Sequence, residues 1–228
     1  MSIKYTKQQI LDKLEQAKLN MDVFYQQKFV NYIGKTIDTK DDYSEIIAEW
    51  LVGNLHLFVN ITKITRSASY KTSTHNGWTT ADDSNRLEER TAMAMYRQRG
   101  LSCLGLVLDY QTPLKDINSN HAGKIDLLTY DGVILRIMEM KNYKSKETML
   151  RCVLEAHTYL KTVDIGKLLQ NFQLPPSTKV QTCPFVFNGG FQYNEMRSHR
   201  PHLKHLMELL DSEPYFYEKA GEHYIVKH

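Results

Sequence analysis

Asp126, Glu139 and Lys141 stand in a stretch, GKIDLLTYDGVILRIMEMK, that is otherwise largely apolar. A carboxylate or an ammonium in such surroundings costs free energy unless it is paired, hydrogen-bonded or bound to a metal. Two carboxylates brought together can hold Mg²⁺ or Mn²⁺, and Mg²⁺ asks for oxygen ligands at about 2.0–2.1 Å. The ion stabilises charge developing on a phosphoryl oxygen and lowers the pKa of a bound water. A lysine kept cationic by acidic neighbours can orient that water and stabilise the charged transition state. The chemistry this set suits is phosphodiester hydrolysis.

Whether the three residues meet depends on a turn. Asp131-Gly132 is a strong signal for a two-residue hairpin loop. With those two residues as the turn, Tyr130 faces Val133, Leu128 faces Leu135 and Asp126 faces Ile137. Opposed residues, and residues two apart on one strand, share a face of the sheet. Asp126, Glu139 and Lys141 then project together, the carboxylates as diagonal neighbours with backbones roughly 7–8 Å apart. Leu128, Val133, Leu135 and Ile137 share that face, which argues for burial and against a solvated Glu139–Lys141 ion pair. A slip of one residue would break the set apart.

The flanking sequence predicts the elements that position this hairpin. SNRLEERTAMAMYRQRGL predicts a helix capped by Ser84 or Asn85, acidic in its first turn through Glu88 and Glu89, and ended by Gly100. LGLVLDYQTPL predicts a strand broken by Pro113. After the hairpin, Met149, Val153, Ala156 and Leu160 recur at helical spacing. KVQTCPFVFNGG predicts a strand, and RPHLKHLMELLDS a last helix with Pro201 near its first turn. Upstream, residues 6–33 read as one or two helices stopped by Gly34, and DDYSEIIAEWLVGN as another closed by Gly53. LHLFVNITKIT fits strand or helix, and residues 67–85 read as a polar loop. The expected fold is α/β (α+β), a mixed β-sheet flanked by helices. Residues 1–80 form a helical N-terminal segment and residues 81–228 the α/β core.

Asp126 followed by Glu139-Met140-Lys141, behind a helix that begins with glutamates, resembles the PD-(D/E)XK nuclease superfamily, the restriction-endonuclease-like proteins. That superfamily shares a core of helix, three strands, helix and strand (αβββαβ), similar to the order read from SNRLEER to FVFNGG. Ile125 replaces a proline that varies widely in the superfamily, and the helical N-terminal extension has no counterpart in its core. The resemblance implies a Mg²⁺- or Mn²⁺-dependent nuclease with Asp126 and Glu139 as metal ligands and Lys141 beside the attacking water. It also implies an accessory acidic ligand on the preceding helix. EERTAMAMYRQRGL is similar to the archaeal Holliday-junction resolvase pattern, with a glutamate eleven residues before the helix-ending glycine; counting back from Gly100 favours Glu89 over Glu88. The implied partner is nucleic acid, DNA ahead of RNA, and cutting both strands of a duplex would favour a homodimer. Glu155 and Tyr159 are candidates for supporting the site, with packing or a local hydrogen bond the plainer reading. The competing function is a catalytically inactive nucleic-acid- or partner-binding module on the same fold.

The composition is compatible with these expectations without demanding them. Net charge is +3, mild enough to permit a polyanionic partner. Arg86, Arg90, Arg97 and Arg99 on one side, and Lys144, Lys146 and Arg151 on the other, would rim the acidic hairpin. Cys103, Cys152 and Cys183 are widely spaced, with no C-x-x-C pair, as in proteins that keep their thiols reduced. No apolar signal core or membrane-length run is visible, so a cytoplasmic location is expected. His199, His202 and His205 are spaced by three rather than as an i, i+4 pair, and read as part of a surface helix. The chain contains no G-x-x-x-x-G-K-[ST] loop, which argues against an NTP-driven motor.

Overall fold

A computed structural model describes residues 4–72, 86–116 and 123–228. Its seven strands are β1 (Gly100–Leu101), β2 (Gly105–Pro113), β3 (Lys124–Tyr130), β4 (Ile134–Lys141), β5 (Lys179–Phe187), β6 (Tyr215–Ala220) and β7 (His223–Lys227). They lie in one sheet in chain order. Strands β1 to β4 run antiparallel, β4–β5 and β5–β6 are parallel, and β6–β7 close as an antiparallel hairpin. The chain is thus mixed α+β, built on a seven-stranded mixed sheet with helices.

The central hairpin has a longer turn than the Asp131-Gly132 signal predicts. Tyr130 pairs with Leu135, Leu128 with Ile137 and Leu127 with Met138. Asp131 sets the turn: its Oδ1 accepts the Val133 and Ile134 N–H groups at 2.9 and 2.8 Å. Arg136 donates to its Oδ2 at 2.7 Å, and Gly132 takes the positive φ of +101°. The side chain thereby mimics a backbone turn. The register moves by two residues from the expected one, and an even shift keeps every side chain on its face. Val133 is the exception, standing 69% exposed at the turn instead of on the buried face.

Each face of the sheet has its own cover. Ala92, Met93 and Met95 of helix α3 (Leu87–Gln98) share one apolar cluster with Leu127, Met138, Met140 and Phe185. On the other face, Leu128, Leu135 and Ile137 share one apolar cluster with Leu150, Val153 and Leu154 of α4 (Met149–Thr162). That cluster continues into Ile10 and Leu14 of α1 (Lys7–Ala17) and Ile46, Ile47 and Leu51 of α2 (Tyr43–Val52). Thr148 joins the two parts of the chain: its hydroxyl caps α4 at Arg151 N–H and donates to Val30 O at 2.9 Å. Its own N–H donates to Asn31 Oδ1 at 2.6 Å.

Several elements depart from expectation. Beyond α1, the chain makes two short 3₁₀ turns, Met21–Gln26 and Lys28–Asn31, in place of a continued helix. Phe24, Tyr25, Phe29 and Val30 have weak helix propensity, and packing of their side chains decides the conformation. Leu55–Asn60 is likewise a 3₁₀ stretch. Ser84 and Asn85 lie outside the described residues, as do residues 73–83; Arg86 occupies the position before α3. That helix ends on Arg99, at φ +71°, and Gly100 already opens β1. Among the described residues, five elements were not anticipated: the short β1, α5 (Ile165–Asn171), α6 (Phe191–Arg197) and the two strands of the β6–β7 hairpin. The last helix, α7 (Pro201–Leu209), begins at Pro201 as expected. Among the described residues no helix is long and apolar enough to cross a membrane.

Candidate active site

The β3–β4 register, continued one residue beyond Leu127 and Met138, sets Asp126 opposite Glu139. They are direct rather than diagonal neighbours, so the carboxylates start closer than the expected pairing allows. Lys141 follows on the same face. Glu139 and Lys141 are only 4% and 5% exposed, while Asp126 is half-buried. All three line a cavity of about 710 Å³ whose walls come from the start of α3, the middle of α4 and the connection from β4 to α4.

Lys141 is the hub. Its Nζ lies 2.7 Å from Glu139 Oε1, 2.7 Å from Glu147 Oε2 and 3.4 Å from Glu155 Oε2. Burial alone would drive the ammonium to lose its proton, but Glu139, Glu155 and Glu147 outweigh it and hold the pKa well above the ordinary lysine value. Glu139 is shifted upward as well, which in a carboxyl group favours the neutral form. Burial, then repulsion from Asp126 and Glu155, raises its pKa well above the usual carboxylate range despite Lys141. Asp126 is pushed up to about 7, mainly by burial, against the opposing pull of Lys141 and the Met140 N–H.

Asp126 is held in place from both sides. Gln111 Nε2 donates to its Oδ1 at 2.7 Å and Met140 N–H to its Oδ2 at 2.8 Å. Gln111 reaches it from β2, just beyond a bulge between Val107 and Asp109, and has a positive φ of 50°. Each Asp126 oxygen keeps a further lone pair, since a carboxylate has about four acceptor directions. Among the described residues no three His, Cys, Asp or Glu side chains are gathered into a metal-ligand group. The donor chemistry still fits a hard cation: Mg²⁺ is commonly held by one or two carboxylates, with water and substrate phosphate completing its shell. Asp126 and Glu139 could hold it in that manner.

The two glutamates of α3 have different surroundings. Glu88 Oε1 accepts from Asn142 N–H at 3.1 Å and from Asn142 Nδ2 at 2.9 Å, which ties α3 to the end of β4. It lies near enough to Asp126 to help raise its pKa. Glu89 pairs instead with Arg86 at 3.2 Å, although both glutamates line the cavity. Glu155 and Tyr159 are both present as well, linked by a 2.9 Å hydrogen bond from the tyrosine hydroxyl.

Arg86, Lys124, Lys144 and Arg151 also line the cavity, whereas Arg90 and Arg97 line a neighbouring one. Gln111, Asn142 and Glu147 were not singled out by strand parity, which reads only residues of the hairpin itself. Gln111 depends on the bulge, and Glu147 on the path of the chain into α4. His199, His202 and His205 do not line the acidic cavity. No family model, curated protein or solved structure matches the chain.

Proposed function

We propose that the protein is a Mg²⁺- or Mn²⁺-dependent nuclease of the PD-(D/E)XK type, acting on DNA in preference to RNA. One observation carries the reading: a directly opposed Asp126–Glu139 pair with Lys141 on the same face, in a cleft that basic side chains also line. Support also comes from the order α3, β2, β3, β4, α4, β5, which accommodates the αβββαβ core once the short β1 and α5 are taken as additions.

In this reading Asp126 and Glu139 hold the cation, and Glu88, near enough to Asp126 to raise its pKa, is a better accessory group than Glu89. The bound ion supplies Lewis-acid stabilisation of the phosphoryl oxygens and a more acidic water. Lys141, kept protonated by its glutamates, orients that water and stabilises negative charge in the transition state. Gln111 and the Met140 N–H fix the Asp126 carboxylate so that it needs little reorganisation on binding. Arg86, Lys124, Lys144 and Arg151 attract the phosphate backbone. A dimer would bring a second such cleft to the other strand of a duplex. A cytoplasmic location goes with the proposal, since Cys152 and Cys183 are buried free thiols.

The test is cleavage. Wild type and Asp126→Ala would be incubated with supercoiled plasmid, linear duplex, single-stranded DNA and RNA, each with Mg²⁺ or Mn²⁺. Metal-dependent cleavage by the wild type that disappears in the folded variant supports the proposal. No cleavage of any substrate would leave the non-catalytic binding module as the better account.

A further inference from the structure

A second cavity, of about 600 Å³, adjoins the acidic one; Leu87 and Asn142 line both. Four rings from different parts of the chain run through it. Tyr143 packs against Phe187 with centroids 5.7 Å apart, Phe187 against Tyr217 at 5.6 Å, and Tyr217 against Tyr224 at 6.1 Å. Tyr143 lines this cavity and is 55% exposed, with Lys144 Nζ 5.5 Å from its ring centroid. Arg90, Arg97 and Lys219 supply positive charge along the same walls. The Tyr217 hydroxyl donates to the Lys141 carbonyl at 3.3 Å, which joins this aromatic row directly to the strand that carries Glu139 and Lys141.

A half-exposed ring backed by further rings provides a stacking surface for a flat apolar group, while the surrounding cations favour negative charge on what is attached to that group. A nucleotide meets both requirements. Bases in a duplex are already stacked on their neighbours and cannot enter such a cavity without being unpaired, whereas single strands stack freely on aromatic side chains. We propose that this cavity takes an unpaired base of a single-stranded DNA whose adjacent phosphate lies in the acidic cavity. The placing of the phosphate rests on the nuclease reading above; the base-binding surface extends beyond it. The protein therefore binds single strands, or single-stranded segments of branched DNA, in preference to uniform duplex.

The test compares binding of three fluorescent probes by anisotropy in EDTA, where cleavage cannot interfere: a twelve-residue oligothymidylate, an abasic strand of equal length, and a duplex. Wild type should bind oligothymidylate about tenfold more tightly than the abasic strand, a difference within the range expected for stacking on one aromatic side chain. Tyr143→Ala should remove that difference and Tyr143→Phe should keep it; the abasic strand should bind all three proteins alike. Equal binding of the thymidylate and abasic strands by wild type, or an unaltered preference in a folded Tyr143→Ala, would overturn the proposal, as would preferred binding of the duplex. Cleavage by the wild type is measured separately with Mg²⁺. Base-dependent binding without cleavage would support this site while removing the nuclease reading, and cleavage without base-dependent binding would do the reverse.

Discussion

The ammonium of Lys141 is almost fully buried among Glu139, Glu147 and Glu155. Removing one partner of a buried ion pair leaves the other charge uncompensated, at a cost of about 3–5 kcal/mol. Lys141→Ala should therefore destabilise the metal-free protein by about that amount, measured by urea unfolding. Added Mn²⁺ should recover part of the loss, because a cation at Asp126 and Glu139 relieves the same repulsion. The pH dependence has a definite sign. Asp126 in the folded protein keeps its proton up to about 7, while the unfolded chain releases it near 3.9. This contribution is fully present below about pH 4 and is lost as pH rises through about 7. Glu139 is shifted in the same direction. Asp126→Asn should flatten the fall in urea midpoint between pH 4 and 7; an unchanged slope would rule out that carboxyl as its source. At this scale the main set was legible, because a two-residue change of register preserves side-chain parity. The Gln111 and Asn142 contacts were not, since they depend on a bulge and on a second element.

Among the elements, α4 carries groups for two purposes. Glu155 and Tyr159 face the cleft, whereas His157 packs its ring 4.8 Å from Phe58 of the N-terminal segment. Neither His157 nitrogen has a hydrogen-bond partner among the described residues, and burial, with a smaller contribution from Lys161, lowers its pKa to about 4. The folded state keeps this ring neutral while the unfolded chain takes up a proton below about 6.5. Its effect is opposite to that of Asp126: stability falls as pH drops from about 6.5 to about 4, by about 3 kcal/mol in all. His157→Phe should abolish that part of the acid sensitivity, read as the difference in unfolding free energy between variant and wild type across that range. Gly105 opens β2 at φ +77°, where an added Cβ would stand 2.2 Å from the Tyr130 carbonyl oxygen. Gly105→Ala should cost about 2–4 kcal/mol in urea unfolding through strain and clash. The hairpin was legible from its Asp131-Gly132 turn signal and α4 from the helical spacing of its apolar residues. The 3₁₀ stretches and β6 and β7 were not, being short elements whose conformation is settled by what they pack against.

For the whole molecule, the N-terminal segment supplies part of the apolar cluster beneath the sheet, and polar contacts fasten it there. Arg200 donates to both oxygens of Asp42 at 2.8 and 3.2 Å. Glu45 accepts the His202 and Leu203 N–H groups, each at 3.0 Å, at the start of α7. Deleting residues 1–60 would uncover Leu150, Val153 and neighbouring side chains, and should abolish cooperative thermal unfolding of the remainder; a sharp transition in the shortened chain would show that those contacts are dispensable. The charge arrangement also belongs to this scale. A chain of net charge +3 concentrates carboxylates within one cleft and keeps arginines and lysines along its walls. On the proposed reading a divalent cation supplies the counter-charge in this cleft, and its binding displaces the proton that burial holds on Asp126 up to about pH 7. The most direct measurement is calorimetric titration of the wild type and Asp126→Asn with Mn²⁺, in two buffers of different ionisation enthalpy near pH 6.5. Saturable binding with proton release is expected in the wild type, and at least tenfold weaker binding in the variant. Equal binding in both proteins, or none in the wild type, would contradict a metal centre between Asp126 and Glu139.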